Sequence, residues 1–236
     1  GCTMPSWGIH LATAYEVTKK IKIKNKDNFF IGNMLPDAER YVIKDFSIYV
    51  PYEKSHFSRM IQINNRMEKL PDYNIFIQKY KKDLNNPIVL GYLTHLIADY
   101  YWNYLTFSKY TAVNERGEII GVLRKENEFL KGGNGLRKVL KQKDFANLDK
   151  EIVKSGNYQL PSFSDDCMKD LKVIEETTYN SEDILKIIEY LKKMVETKNK
   201  EQIDEYELFT REKIKEYYFK SIEFIVDILS NIDMLS

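Results

Sequence analysis

Histidine is scarce in this chain and then runs out. Three occur in 236 residues, at His10, His56 and His95, and residues 96–236 contain none. Cysteine is scarcer still: Cys2 and Cys167 form no CxxC pair, which excludes a disulfide framework and points to a reducing compartment. No apolar run approaches the ~20 residues of a membrane-spanning helix, and no signal peptide is visible. A surplus of either charge is also missing. The 36 basic residues nearly cancel the 35 acidic ones, leaving +1, so there is no electrostatic case for nucleic-acid binding. The five lysines of Lys19–Lys26 alternate with Ile and read as a helix end and a solvated turn. A cytoplasmic location is the expectation. The alternative is export or lipid anchoring: with Gly1 read as an expression scar, Cys2 becomes a candidate lipid-attachment residue.

What remains is helical texture. No repeat, low-complexity tract or Pro/Ser-rich boundary divides the chain, so one all-α domain over residues 1–236 is expected, with length enough for its own core. Apolar residues recur with helical period over 8–22, 53–66, 72–82, 139–154, 164–178, 182–197 and 202–234. Pro36 and Asp37 read as a helix start. Asn85-Asn86-Pro87 opens the strongest helix, about 87–107, apolar nearly all round and therefore the centre of a bundle. A short hairpin is expected between Tyr110–Val113 and Ile119–Val122, around the turn Asn114-Glu115-Arg116-Gly117. Gly132-Gly133-Asn134-Gly135 marks a break.

The three histidines and two carboxylates carry the chemistry. His95 and Asp99 stand at i and i+4, so both face one side of the 87–107 helix and can grip one ion without backbone strain. A carboxylate within an apolar helix is costly unless paired or metal-bound. Asp37 lies at a helix start, as does the Asp72 of a second Leu-Pro-Asp, which shows that the tripeptide alone is ordinary helix-starting chemistry. Taken singly, each residue has a structural use. The order His10, Asp37, His56, His95, Asp99 is more specific, and points to a metal site that suits zinc, with iron, manganese or nickel as other fits.

The segments Met4-Pro5-Ser6-Trp7-Gly8-Ile9-His10, Gly32-Asn33-Met34-Leu35-Pro36-Asp37, Ser55-His56-Phe57 and Gly91-Tyr92-Leu93-Thr94-His95-Leu96-Ile97-Ala98-Asp99-Tyr100-Tyr101-Trp102-Asn103 resemble the zinc-dependent phospholipase C family, whose helical fold is shared with single-strand-specific zinc nucleases. The resemblance covers about residues 4–105, and residues 106–236 match nothing. It implies a multi-helix bundle of the phospholipase C/nuclease type and a hydrolase that cleaves phosphate esters with one or two zinc ions. The substrate would be a small phosphate ester or a lipid head group. Asp37, His56, His95 and Asp99 would hold one ion. His10 would hold a second, bridged by Asp99, and Asp37 would steer the attacking water.

The chain also departs from that family. Members with three zinc ions use later histidines, which are absent here, and Trp7 is internal and offers no free amine. The second ion would need water or another carboxylate, with Glu39, Glu126 and Glu128 as candidates. Asn103 is a weak further ligand, and Arg40 and Arg59 are candidate phosphate contacts. Two other readings stand beside this one. A histidine–aspartate nucleotide phosphohydrolase requires an adjacent His-Asp pair, which the sequence lacks. The other is a non-catalytic helical protein that keeps a degenerate metal site for structure or partner binding.

Overall fold

The computed structural model describes residues 6–42 and 50–232. Its N-terminal half is built around one helix. Asn86 accepts hydrogen bonds from the N–H groups of Ile88 (2.9 Å) and Val89 (3.3 Å), Pro87 takes the first helical position, and α6 then runs from Pro87 to Lys109. Its residues are buried on nearly every side, as a central helix requires. Packed on it are α1 (Trp7–Lys20) and α2 (Lys26–Met34), the latter capped by the Asn25 side chain on Asn28 N–H at 3.1 Å. The α2–α6 crossing is very close. A Cβ at Gly32 would lie 2.3 Å from the Ile88 carbonyl oxygen, and one at Gly91 would lie 2.2 Å from that of Phe29. A 3-10 turn, Leu35–Asp37, follows α2 directly and leads into α3 (Ala38–Tyr41).

The chain is not all-α, and that expectation is corrected by two small antiparallel sheets. The helix expected over 53–66 stops after α4 (Tyr52–Ser55), where Phe57 turns left-handed (φ 51°). The chain then forms a hairpin of β1 (Ser58–Ile63) and β2 (Arg66–Pro71), in register from Ser58↔Pro71 to Ile63↔Arg66. Ile63 and Leu70 bury one face of it against Phe107. The physical reason is a period of two rather than 3.6, closed by Asn64 in the left-handed region (φ 55°). Beyond α5 (Tyr73–Lys79) and α6, the hairpin expected near 110–122 does form, as β3 (Thr111–Val113) and β4 (Ile119–Arg124), and gains a third strand, β5 (Glu128–Lys131).

The C-terminal half supplies α7 (Asn134–Ser155), α8 (Asp165–Leu171), α9 (Ser181–Lys200) and α10 (Arg211–Ser230). The last helix starts at Arg211 rather than near 202. The preceding segment is held instead by Asp144, whose buried carboxylate accepts the N–H groups of Glu207, Leu208 and Phe209, each at 2.8 Å. A second buried tie joins the halves: Arg137 of α7 pairs with Glu68 of β2 at 2.5 Å and lies over the Phe107 ring. One hydrophobic core runs from Trp7 to Leu229 through both halves. Among the described residues no helix is long and apolar enough to cross a membrane. Cys2, with its lipid-attachment reading, lies outside the described residues.

Candidate metal centre

Four elements deliver the five candidate ligands to one buried point. Helix α1 brings His10 and the 3-10 turn brings Asp37. His56 sits at the C-terminal cap of α4, and α6 carries His95 and Asp99. None is more than 3% exposed. Asp99 stands among three histidines: its Oδ1 accepts from His10 Nε2 at 3.0 Å, and its Oδ2 lies 3.1 Å from His95 Nε2 and 3.5 Å from His56 Nε2. Asp37 faces the same nitrogens, Oδ1 at 3.0 Å from His56 Nε2 and Oδ2 at 3.5 Å from His95 Nε2. The His10 and His95 rings stack at 3.6 Å between centroids, 8° from parallel.

Two nitrogens make the case for an ion. The Nε2 atoms of His56 and His95 are fully buried and 3.0 and 3.1 Å from the nearest carboxylate oxygens, yet neither is satisfied by an ordinary hydrogen bond. Buried polar groups are normally paired, so two such atoms converging on the same carboxylates need an explanation. Their other nitrogens explain the orientation. His95 Nδ1 donates to the Asn33 carbonyl at 2.7 Å, which leaves Nε2 with a bare lone pair in the neutral ring. Ser55 Oγ donates to the Tyr52 carbonyl at 3.2 Å and so accepts from His56 Nδ1 at 2.8 Å, with the same result. The Tyr92 hydroxyl in turn holds the Ser55 carbonyl, and the Tyr52 ring stacks on His56 at 3.9 Å. Metal-binding histidines are oriented in this way by partners on the far nitrogen. Two triplets, His10–Asp37–His95 and His56–His95–Asp99, bring their ligand atoms within 4.8 Å of one another, so these clusters could hold a metal ion.

The two identical tripeptides part company here. Asp72 caps α5 by accepting from Asn74 N–H (3.2 Å) and Ile75 N–H (3.4 Å), and it pairs with Arg59. Asp37 makes no side-chain cap and turns its carboxylate to the histidines.

Electrostatics follow from this packing. Burial works to raise Asp99 and Asp37, but His95 beside both, with His10 on Asp99 and His56 on Asp37, holds each carboxyl below its ordinary value. Burial likewise opposes a charged His95, yet Asp99 and Asp37 outweigh it and lift the imidazole to about 9. His10 goes the other way, lowered by burial and by the charge of His95. Without an ion, a proton on His95 Nε2, facing Asp99, takes the place where an ion would bind.

The remaining sequence candidates have other partners. Asn103 Oδ1 accepts from the buried Lys141 ammonium at 3.0 Å. Glu39 accepts from Val50 N–H at 2.6 Å. Glu126 is bonded by Tyr217, Glu128 pairs with Arg124, and the exposed Arg59 pairs with Asp72. The Arg40 side chain lies outside the described residues. Trp7 packs edge-on against Tyr190. Sequence reasoning gave no role to Asn33, Ser55 or Asp149. The first two belong to motifs already singled out. Asp149 sits 140 residues from its partner Ile9 and gives no local signal. Comparison with family models, with curated proteins and with solved structures finds no match.

Proposed function

We propose that the protein is a metal-dependent phosphoesterase, using one or two divalent ions, zinc being the best fit, to activate water at the His10–Asp37–His56–His95–Asp99 centre. The observation that carries this reading is the convergence of the buried Nε2 atoms of His56 and His95 on two carboxylates, with each imidazole's other nitrogen already committed. Bound there, a divalent ion supplies a water acidified to a pKa of about 7 and an electrophile for a phosphoryl oxygen. The chain supplies the rest. Asn33 and Ser55 fix the two imidazoles. Asp37 and Asp99 together balance one divalent ion in surroundings too apolar for uncompensated charge. Were a second ion held through His10, the centre would carry excess positive charge. An anionic phosphate ester would complement it, as the resemblance to zinc-dependent phospholipases C implies. Asp37, held ionised, is the group placed to receive a proton from the attacking water.

Burial favours a second reading, in which the ion is structural. His10 and His95 are fully buried, whereas a catalytic centre has to admit its substrate. One experiment separates the two. Protein purified without added zinc is analysed for metal, then assayed on p-nitrophenyl phosphate, bis(p-nitrophenyl) phosphate and a phosphocholine ester, with and without chelator. Bound metal with chelator-sensitive turnover supports the phosphoesterase. Metal without turnover supports the structural ion, and absence of stoichiometric metal overturns both.

A further inference from the structure

Helix α1 carries His10 in its fourth position but lacks the usual means of starting a helix. Its N-cap residue, Ser6, makes no side-chain cap, and its first turn contains no acidic residue. The missing acceptor comes from α7. Asp149 Oδ1 accepts the N–H of Ile9, the third helical position, at 2.8 Å, and its Oδ2 takes the Ser6 hydroxyl. An N-cap side chain normally bonds this N–H, and a carboxylate at a helix N-terminus also complements the helix dipole. The fit is close. Asp149 is 2% exposed, and a Cβ at Gly8 would lie 2.7 Å from its Oδ1, so the carboxylate reaches the helix only past a residue without a side chain. The next residue after this tethered turn is His10, whose Nε2 meets Asp99.

We propose that Asp149 is a positioning residue for His10: it caps α1 from a distance, and thereby sets the His10 ring against Asp99 and within the His10–Asp37–His95 group. The consequence for metal binding rests on the reading of the centre given above; the placement of His10 does not. The half of the chain that contains no histidine would then take part in the site without touching an ion.

The test reads His10 directly. Three histidines give three imidazole signals in long-range ¹H–¹⁵N correlation spectra of chelator-treated protein. In the wild type, His10 shows a single neutral tautomer protonated on Nε2. Asp149→Ala shifts His10 toward a tautomer mixture and leaves His56 and His95 in place. Asp149→Asn, which still accepts from Ile9, restores the wild-type signal. Should Asp149→Ala fail to fold, Ser6→Ala, which keeps the Ile9 bond, gives a smaller shift confined to His10. In zinc titrations Asp149→Ala weakens uptake about 10- to 100-fold. Signals that all move together, or none that move, overturn the proposal. A wild type that takes up no zinc, yet shows the shift confined to His10, discards the metal centre and keeps the role of Asp149.

Discussion

The proton that His95 keeps in the metal-free centre gives a stability slope that can be measured. The histidine is lifted from 6.5 to about 9, chiefly because the attraction of Asp99 and Asp37 overcomes burial. A group raised in the folded state stabilises it fully below the unfolded value, and that stability is lost as pH rises through the folded value. Between pH 7.5 and 9 His95 dominates; the buried Cys167 thiol, pushed up to about 12, adds to the fall only near the top of the range. Asp37 and Asp99 are held down, so their contributions disappear only in acid. His10 is already neutral, and Asp149, pushed up to about 6 by burial, has finished titrating. At about 1.4 kcal/mol per pH unit, the metal-free protein should lose roughly 2 kcal/mol across the window. For a chain of this size that is a fall in Tm of roughly 4–8 °C. Thermal melts in EDTA, followed by circular dichroism, read it, and His95→Gln should flatten the slope. Zinc reverses the sign: the ion must displace the proton from His95, so its apparent affinity rises with pH over the same range. A Tm in EDTA that is level or rising from pH 7.5 to 9 would refute the reasoning.

Three further outcomes are expected. Asp99→Ala removes the carboxylate shared by three histidines and should lower metal content and Tm together, by metal analysis and melting of the same sample. The twin tripeptides should separate: Asp72→Ala costs about 0.5–2 kcal/mol as a lost cap and leaves zinc uptake intact, whereas Asp37→Ala abolishes tight zinc uptake. Glu68→Ala strands the buried Arg137 guanidinium and should cost roughly 3–5 kcal/mol in urea unfolding, most of it recovered in the Glu68→Leu/Arg137→Met double variant.

Signals with one short-range meaning were legible in the sequence. Asn86-Pro87 announced α6, and the i, i+4 spacing of His95 and Asp99 survived into a shared face, because helical geometry is local. Where two periods compete over a short run, the sequence misled. Residues 53–66 contain enough apolar residues to suggest a helix, but from Ser58 on the alternation that buries Ile63, and Leu70 on the facing strand, makes a hairpin. Helix α2 went unnoticed beneath the lysines before it, although Asn25 caps it. Leu35-Pro36-Asp37 and Leu70-Pro71-Asp72 are identical, and sequence set Asp37 apart only through the company of the histidines; where each carboxylate turns depends on which helix packs opposite. Asp149 and Asp144 were missed for the same reason. Each satisfies backbone groups about 60 to 140 residues away, and no local pattern encodes such a partner.

The close crossing at Gly32 and Gly91 bears on how the protein tolerates sequence change. Asn33, whose carbonyl orients His95, directly follows Gly32, and His95 lies one turn beyond Gly91. In a mutational scan scored by metal retention, these two glycines should therefore behave like ligands. Even alanine at either would wedge α2 from α6 and carry the Asn33 carbonyl out of reach of the imidazole. The chain's sensitivity to zinc loss would then map onto two positions with no side chain to bind anything.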